Sequence, residues 1–394
     1  MEPLFHALPY SGYVYPNETD LPWSILIVIY PYITGLVAGS FTVSTFYHVF
    51  GVPRFKPVAR FALLTSLSFM VFVPLPLLLH LGHPERAFNV MLTPHLPSAL
   101  AAFGFFASIY VTLVMLEIWF AFREDIVALA QKRTGLPGLL YRVLTLGSYE
   151  ISATTRSYDA KWLKALAITG IVGAHGLHGY VGFVFGSLKS REWWGSDLMP
   201  AIFLVSAIVS GISILIVLYV LTSRFRKAPI DGTCMKGLAY MLWGFLIFAL
   251  VLEFLEFANI VYKGREGVET IMALVAGPLW FGVWVLQLGG SVSAFVILTY
   301  VIWRSTQDKY LVLGVTVSAL LILVAVLAMR WNVVIGGQEL SKTMQGLLYY
   351  VPPIWGREGV LIVVAIFALP FGLLWLLTQL LPPWSPKQNE LPAT

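Results

Sequence analysis

Two histidines lie three residues apart in an apolar, glycine-rich stretch of the sequence. His175 and His178 belong to the heptapeptide Gly173-Ala-His-Gly-Leu-His-Gly179. Positions i and i+3 share one face of a helix, and the glycines leave room there for a ligand or a second helix. The pair could therefore hydrogen-bond a ligand and exchange its proton. Alternatively, both rings hydrogen-bond backbone carbonyls where two helices pack closely.

A second set of polar residues repeats at the same spacing in another apolar stretch. Glu253, Glu256 and Asn259 follow one another at intervals of three residues. Two carboxylates on one face of a lipid-embedded helix repel each other when both are ionised. The set therefore suits proton uptake or release. Alternatively, a carboxylate of this set is the structural partner of an arginine.

Arg330 and His80 are expected where apolar segments end. Arg330 either pairs with Glu256 or extends its guanidinium to the lipid headgroups. His80 comes just before Leu81-Gly-His-Pro-Glu-Arg86, in which glycine and proline predict a helix stop. Weaker candidates for a site inside the membrane are Tyr32, Glu117, Asp197 and Gln287.

The composition requires that membrane-spanning helices position these residues. Of the 394 residues, 58% are hydrophobic and only 11% are charged, whereas soluble domains carry about 25% charged residues. A run of about 20 apolar residues spans the hydrocarbon core as a helix. We therefore predict an all-α integral membrane protein with about nine transmembrane helices. They are expected at roughly residues 23–50, 57–81, 97–122, 162–186, 197–222, 235–262, 278–303, 309–329 and 358–381.

Three connecting segments carry expectations of their own. The stretch 267–277 is apolar but too short to cross the bilayer, so an interfacial or re-entrant helix is predicted. The charged segment 123–161 has room for a surface helix. The segment 330–357 is rich in aromatic residues, which fits either the membrane interface or a contact with a partner.

The Lys and Arg residues predict an orientation in the cytoplasmic (inner) membrane. Seventeen of the 25 lie on one side of the predicted helices and eight on the other. The richer side should be cytoplasmic, which places the N-terminus outside and the C-terminus inside. With this orientation the polar residues above gather in the outer half of the membrane or near its middle. A site that opens toward the outer face accounts for them together.

Three classes of function remain open on the residues alone. The single cysteine, Cys234, excludes an iron–sulfur cluster or zinc site ligated by cysteines of this chain alone. A b-type haem would need axial histidines such as His80 and His175. A solute transporter would need broken helices, for which Gly277-Pro278 is a candidate. A quinone site needs an apolar slot, hydrogen-bond partners and a proton route, all of which these residues supply.

Four short motifs, in this order, carry a resemblance to a known family. They are Leu81-Gly-His-Pro-Glu-Arg86, the histidine motif at His175, Asp197-Leu-Met-Pro200 and Arg330-Trp-Asn-Val-Val-Ile-Gly-Gly337. Over roughly residues 23–381 the chain resembles the NrfD/polysulfide reductase membrane subunits, and among them the DsrP branch of the DsrMKJOP complexes of sulfur metabolism. The resemblance implies two adjacent four-helix bundles plus one C-terminal helix. The implied organisation is an external segment 1–22, bundles 23–186 and 187–329, an external loop 330–357, and a ninth helix with cytoplasmic tail 358–394.

The resemblance also implies a quinone-interacting subunit of an electron-transfer complex. A menaquinone-type quinone is expected in the outer half of the first bundle, with no haem, iron–sulfur cluster or metal in this chain. An external ferredoxin-like iron–sulfur subunit is expected as partner, with other membrane and cytochrome subunits. The expected quinone-binding residues are Tyr32, His80, Arg86, His175 and His178. The expected acid–base group, in the second bundle, consists of Glu253, Glu256 and Arg330, with Glu256 preferred as the family's acidic residue.

Overall fold

A computed structural model describes residues 10–188, 190–264, 267–304 and 308–384 of the chain. Within these residues, nine helices are long and apolar enough to cross a membrane, so the prediction of an all-α membrane protein is confirmed. We number them as spans 1 to 9. Their bounds are Ile25–His48, Pro53–His80, Phe103–Lys132, Ala153–Gly186, Met199–Phe225, Gly232–Lys263, Phe281–Arg304, Asp308–Glu339 and Val360–Leu380.

Spans 1 and 5 form the centre of the molecule and cross at two glycines. A Cβ on Gly39 would lie 2.3 Å from the carbonyl oxygen of Ile208, and one on Gly211 would lie 2.5 Å from Cα of Gly39. Ser40 Oγ also donates a 3.2 Å hydrogen bond to the carbonyl of Gly211. Only glycine allows two backbones to approach this closely, so these residues set the distance between the spans.

The other spans pack around this pair in two groups. Span 1 packs on spans 2 and 4, and span 3 on the same two. Span 5 packs on spans 6 and 8, and span 7 on the same two. Spans 4 and 8 also contact the opposite group, and span 9 lies against spans 1 and 2. The division into two four-helix bundles and a ninth helix stays a prediction, because spans 1 and 5, from different groups, also pack closely on each other.

Two membrane spans contain π-helical segments. Span 7 begins with a π-helix at Phe281–Gly289, and span 8 continues through a second one at Asn332–Gly336. Span 8 therefore does not end at 329 but runs to Glu339, so the loop predicted at 330–357 begins later in the structure. The indole of Trp194 donates a 2.6 Å hydrogen bond to the carbonyl of Val333 in the second segment. Such an outside donor is expected where the regular helical hydrogen bonds are interrupted.

Shorter elements complete the fold. The segment predicted to hold a surface helix contains one at Gly135–Leu144, and span 4 begins earlier than expected, at Ala153. The stretch 267–277 contains the helix Val268–Ala276, whose buried face packs on Leu279, Leu340 and Leu347. Its position relative to the membrane interface stays a prediction. Span 2 consists of the 3-10 helix Pro53–Phe55 and the α-helices Lys56–Met70 and Pro74–His80. The remaining elements are the α-helix Asn89–Leu92, the 3-10 helix Pro84–Arg86, and strands β1 (Tyr10–Gly12) and β2 (Gly346–Leu348).

The side of the bundles on which span 1 begins is named here the N-terminal face. Strand β1 pairs there with β2 in an antiparallel sheet. Below the sheet, Glu18 forms a buried 3.0 Å ion pair with Arg191, which also donates to the carbonyls of Gln338 and Leu340. Burial lowers the pKa of the Arg191 guanidinium, an effect that Glu18 partly offsets. These four residues connect the N-terminal segment to the end of span 8. Residues 1–9 and 385–394 of the predicted terminal segments lie outside the described residues.

Candidate functional site

A cavity of about 370 Å³ lies between spans 5, 6, 7 and 8, on the side of the N-terminal face. We call it the interhelical cavity. Its size falls in the range of small-molecule sites, which are mostly apolar with a few converging polar groups. Its aromatic and aliphatic lining is Trp193, Met199, Ile202, Leu250, Phe254, Phe257, Ile260, Val275, Val283, Trp284, Leu288, Met329 and Val333. Its polar lining is Glu253, Glu256, Gln287 and Asn332.

Three of the polar side chains form a hydrogen-bonded row along the cavity wall. Gln287 Nε2 donates to Glu253 Oε2 at 3.1 Å, and Asn332 Nδ2 donates to Gln287 Oε1 at 2.8 Å. The Oδ1 atom of Asn332 is buried and has no hydrogen-bond partner among the described residues. This atom lies against Gly282 rather than in open space, so the groups of the row that can meet a ligand are the carboxylate of Glu253 and the two carboxamide NH₂ groups.

The π-helical segments bring the two amides of this row together. Gln287 lies on the segment of span 7 and Asn332 on that of span 8. A Cβ on Gly282 would lie 2.6 Å from Asn332 Oδ1, so this glycine leaves the space that the amide occupies. A Cβ on Gly337 would lie 2.0 Å from the indole nitrogen of Trp194, so only glycine allows the contact that supports the second segment. π-Helical turns inside α-helices are frequent at functional sites.

The interhelical cavity opens sideways between spans 6 and 7. Far from the N-terminal face, these spans are joined by Trp243, which stacks on Phe295 at 6.0 Å and donates to Thr299 Oγ1 at 2.9 Å. Toward the cavity, side chains bridge the two spans: Gln287 donates to Glu253, and the rings of Phe257 and Trp284 lie 6.1 Å apart. Phe254 and Trp284 are 68% and 40% exposed at this opening. In a bilayer these rings face hydrocarbon, so an apolar molecule dissolved in lipid can enter the cavity directly.

A small polar pocket of about 20 Å³ adjoins the interhelical cavity at Glu256. This volume is enough for about one water molecule. Ser196 Oγ donates a 2.5 Å hydrogen bond to Glu256 Oε2 at the junction. The other residues that line the polar pocket are Glu192, Gly195, Asp197, Asn259, Ile260, Lys263, Val268 and Ile271.

Arg330 is buried inside the second group of spans, and both alternatives predicted for it are wrong. Its side chain is only 1% exposed, so it does not reach the headgroups. It donates to Ser206 Oγ at 2.8 Å and to the carbonyl of Phe203, and its guanidinium lies 3.9 Å from the centre of the Phe203 ring. Among the described residues it forms no ion pair, and the carboxylate that acts on it electrostatically is Glu253 rather than Glu256. Sequence reasoning failed here because it ended span 8 too early.

The two histidines of span 4 face span 1. Both ring nitrogens of His178 lie at backbone carbonyls, those of Ala174 and Thr34, so this ring joins the two spans and has no nitrogen left for a ligand. Nδ1 of His175 is 2.6 Å from the carbonyl of Ile171, whereas its Nε2 has only a 3.4 Å contact to Thr42 Oγ1. His175 is thus the histidine of this pair that retains capacity to bind a ligand.

The other residues expected around a site in the first bundle are separated. Tyr32 donates a 3.1 Å hydrogen bond to the carbonyl of Leu323 in span 8. His80 is 3.0 Å from Glu358, which precedes span 9, and Arg86 is exposed beside Glu85. Among the described residues, none of the three forms a hydrogen bond or ion pair with His175. The structure therefore does not unite the expected quinone-binding residues in one cluster.

Sequence reasoning found the two glutamates of the cavity but missed much of its lining. Gln287 was only a weak candidate, and Asn332, Trp193 and Ser196 were not singled out. The available signal was glycine, because Gly289-Gly290 and Gly336-Gly337 end the two π-helical segments. Glycine pairs inside apolar stretches indicate irregular helix, but they do not show that two such segments meet.

Comparison with known proteins adds a family context to this geometry. The family model described as polysulphide reductase, NrfD, matches residues 14–341. A selenate reductase subunit of Mesobacillus selenatarsenatis is 33% identical over 94% of this chain and 88% of its own length. A putative dimethyl sulfoxide reductase membrane subunit of Halobacterium salinarum is 26% identical over 72% and 63%. The Hdr-like menaquinol oxidoreductase integral membrane subunit of Archaeoglobus fulgidus is 23% identical over 93% and 88%.

Proposed function

The chain belongs to the polysulphide reductase NrfD family of membrane subunits of oxidoreductase complexes, and we propose that it exchanges electrons between the membrane quinone pool and an iron–sulfur partner. The observation that carries this proposal is the interhelical cavity, which is apolar, open to lipid and lined on one wall by the Glu253–Gln287–Asn332 row. A quinone has the matching chemistry, since it combines an apolar ring and isoprenoid tail with two oxygens that form hydrogen bonds.

The row suits both redox states of the ligand. A quinone carbonyl needs a donor, and each carboxamide NH₂ group supplies one. A quinol hydroxyl needs an acceptor, and the carboxylates of Glu253 and Glu256, which line the cavity, supply it. The isoprenoid tail would leave between spans 6 and 7, past Phe254 and Trp284. Menaquinone is the proposed quinone, because the Archaeoglobus relative is named a menaquinol oxidoreductase subunit.

The position of the cavity sets the proposed position of the partner. Trp193 and Met199, which line the cavity, belong to the connection and helix start on the N-terminal face. An external ferredoxin-like iron–sulfur subunit docked on this face would bring a cluster nearest to the quinone. Other membrane and cytochrome subunits would complete the complex. In this proposal the N-terminal face is the outer face of the cytoplasmic membrane, as the distribution of basic residues predicts.

The proposed substrate of the whole complex is an oxidised or chain-like compound of sulfur or selenium. The names of the family model and of two relatives refer to polysulphide, selenate and dimethyl sulfoxide. These compounds share chemistry in which a chalcogen centre accepts electrons. The resemblance to the DsrP branch suggests a sulfur compound, whereas the selenate reductase relative favours an oxyanion.

His175 marks a second candidate position for the quinone, in the first bundle. Among the described residues, its Nε2 atom has only the long contact to Thr42 Oγ1. Nδ1 lies at the carbonyl of Ile171 and carries the proton of the neutral ring, so a quinol hydroxyl could donate to Nε2 in a shorter hydrogen bond. The two positions lie on different spans, so substitutions separate them cleanly.

The test is quinone-dependent electron transfer by the complex purified in mild detergent. Gln287→Leu should raise the menadiol concentration for half-maximal oxidation about tenfold, and His175→Ala should leave it unchanged. The reverse result would place the quinone in the first bundle, and unchanged kinetics in both variants would contradict both positions. The quinone function itself would be contradicted if the unsubstituted complex did not oxidise menadiol. A Soret band in the purified chain would instead support a haem subunit, and solute flux through the chain alone would support a transporter.

A further inference from the structure

We infer that the protons of the quinone reaction exchange with the N-terminal face through Glu256 and Ser196. This inference rests on the proposed quinone site in the interhelical cavity. Reduction of a quinone takes up two electrons and two protons, and oxidation of a quinol releases them. A buried quinone site therefore needs a path for protons as well as one for electrons.

Among the described residues, Glu256 and Ile260 are the two that line both the interhelical cavity and the polar pocket. Its side chain is buried, and one carboxylate oxygen accepts the 2.5 Å hydrogen bond from Ser196. On one side the carboxylate meets the apolar cavity, and on the other it meets a pocket large enough for water. A proton that leaves the cavity toward the N-terminal face thus has a titratable group at the boundary.

Four charged groups of the described residues face this boundary, and three of them are acidic. Span 6 contributes Glu253 and Lys263. The connection that precedes span 5 contributes Glu192 and Asp197, whereas the helix Val268–Ala276 contributes only apolar side chains. Carboxylates at the mouth favour positive charge, so they would attract a released proton or supply one.

The chemical step can be written with all atoms balanced. During quinol oxidation the O–H bond of the bound quinol breaks, and its proton forms a new O–H bond on the Glu256 carboxylate. The two electrons pass one at a time to the iron–sulfur partner. Ser196 then rotates, because its hydroxyl both donates and accepts, and relays the proton to water in the polar pocket. The second proton follows the same path, and quinone reduction reverses each step.

One consequence separates this route from proton pumping. Electrons and protons both cross the N-terminal face, so no net charge crosses the membrane at this site. The buried carboxyl group of Glu117 in the first group of spans, which has no hydrogen-bond partner among the described residues, takes no part in it. Quinone turnover in the interhelical cavity should therefore be electroneutral.

The test uses the intact complex in lipid vesicles, with menadiol as donor and external ferricyanide as acceptor. Ferricyanide does not cross membranes, so it drives only complexes whose electron-output face points outward. Acid should appear in the external medium while pyranine trapped inside the vesicles stays unchanged, and valinomycin with potassium should not change the rate. Proton release or uptake inside the vesicles, or acceleration by valinomycin, would overturn the inference.

Substitutions assign the route to its residues. Glu256→Gln should lower turnover about 100-fold, the usual effect of losing a general acid–base group, with the Kd for menadione unchanged. Glu256→Asp should restore part of the rate. Ser196→Ala should slow turnover, whereas the control Ser213→Ala should not, because Ser213 bonds only the carbonyl of Val209 in its own helix.

These results distinguish failure of the inference from failure of the proposed function. Full turnover in Glu256→Gln, with normal menadione binding, would overturn the inference and leave the quinone site standing. If the unsubstituted complex did not bind menadione, both the inference and the proposed quinone function would be overturned. Co-purification of the partner subunits with each variant shows that the complex has assembled, so a low rate reports on chemistry.

Discussion

The side-chain amide of Asn332 donates a 2.8 Å hydrogen bond to Oε1 of Gln287, and this bond joins the π-helical segments of spans 7 and 8. Because Gln287 donates in turn to Glu253, a polar row crosses one wall of an otherwise apolar cavity. Side chains held in this way cannot turn away when a ligand arrives. The row is therefore a preorganised set of hydrogen-bonding groups, which lowers the entropic cost of binding.

Replacing Gln287 with leucine should weaken quinone binding about tenfold, because the loss of one hydrogen bond costs about 1–1.5 kcal/mol. Quenching of intrinsic fluorescence by a menaquinone analogue would measure the Kd. Leu286→Ala is the matched control, since Leu286 lies on the same π-helical segment but lines a separate apolar cavity with Ile25 and Trp331. Equal affinities for the Gln287 variant and the control would contradict a role of the row.

The ion pair between Glu18 and Arg191 should hold the N-terminal segment on the second group of spans. Removing one partner of a buried pair costs about 3–5 kcal/mol when the remaining charge is uncompensated. Arg191→Met should cost less than this, because Lys342 Nζ stays 3.9 Å from Glu18. The melting temperature in detergent should fall, and limited proteolysis should cut earlier around residue 18. The double variant Glu18→Gln/Arg191→Met should recover part of the loss. Additive losses in the double variant would show that the pair is not coupled.

The crossing of spans 1 and 5 should not tolerate a side chain at Gly39. A Cβ there would overlap the carbonyl of Ile208, so Gly39→Val should separate the spans at a cost of about 3 kcal/mol. Thermal melting of the detergent-solubilised chain would measure it. Gly244→Val is the control, since no atom lies within 4 Å of a Cβ at that position. A normal melting temperature for the Gly39 variant would contradict the proposed central contact.

The phenol of Tyr350 should make the N-terminal face sensitive to alkaline pH. Tyr350 accepts a 3.1 Å hydrogen bond from the backbone N–H of Ile25, and burial raises its pKa above the ordinary value. The unfolded phenol ionises near pH 10, before the folded one, so this contribution to stability is complete below about pH 10 and is lost as the pH rises through the folded-state value. Tyr350→Phe should have a lower melting temperature than the unsubstituted protein at pH 8, and this difference in melting temperature should become smaller above pH 10. A difference that does not change with pH would contradict this assignment.

The sequence predicted the elements of the fold better than their irregularities. Long apolar runs identified the nine spans, and the short run at 267–277 was interpreted as a helix too short to cross. The π-helical segments could not be found in this way, because an apolar stretch has no polar positions whose spacing would report the helical period. For this reason the sequence places the end of span 8 at 329, and it leaves open for Arg330 either a pair with Glu256 or extension to the headgroups.

The candidate site was predictable in part. The spacing of Glu253 and Glu256 correctly indicated that both side chains share one face of span 6, where they line the same cavity. The glycines that flank His178 did not indicate its contact, because a Cβ on Gly176 or Gly179 would have no atom within 4 Å. His178 instead joins spans 1 and 4 through its ring, whose nitrogens lie at backbone carbonyls. The row of Gln287 and Asn332 depends on two segments 45 residues apart, so it could be seen only after folding.

Photoaffinity labelling with an azido-menaquinone locates the bound quinone directly and tests the central claim. The complex would be illuminated in its native membrane and the modified peptides identified by mass spectrometry, with excess menaquinone as competitor. The account predicts competed labels on span 6 near Phe254 and Phe257 and on span 7 near Trp284, which line the interhelical cavity. Competed labels confined to span 4 around His175, with none on spans 6 and 7, would contradict it.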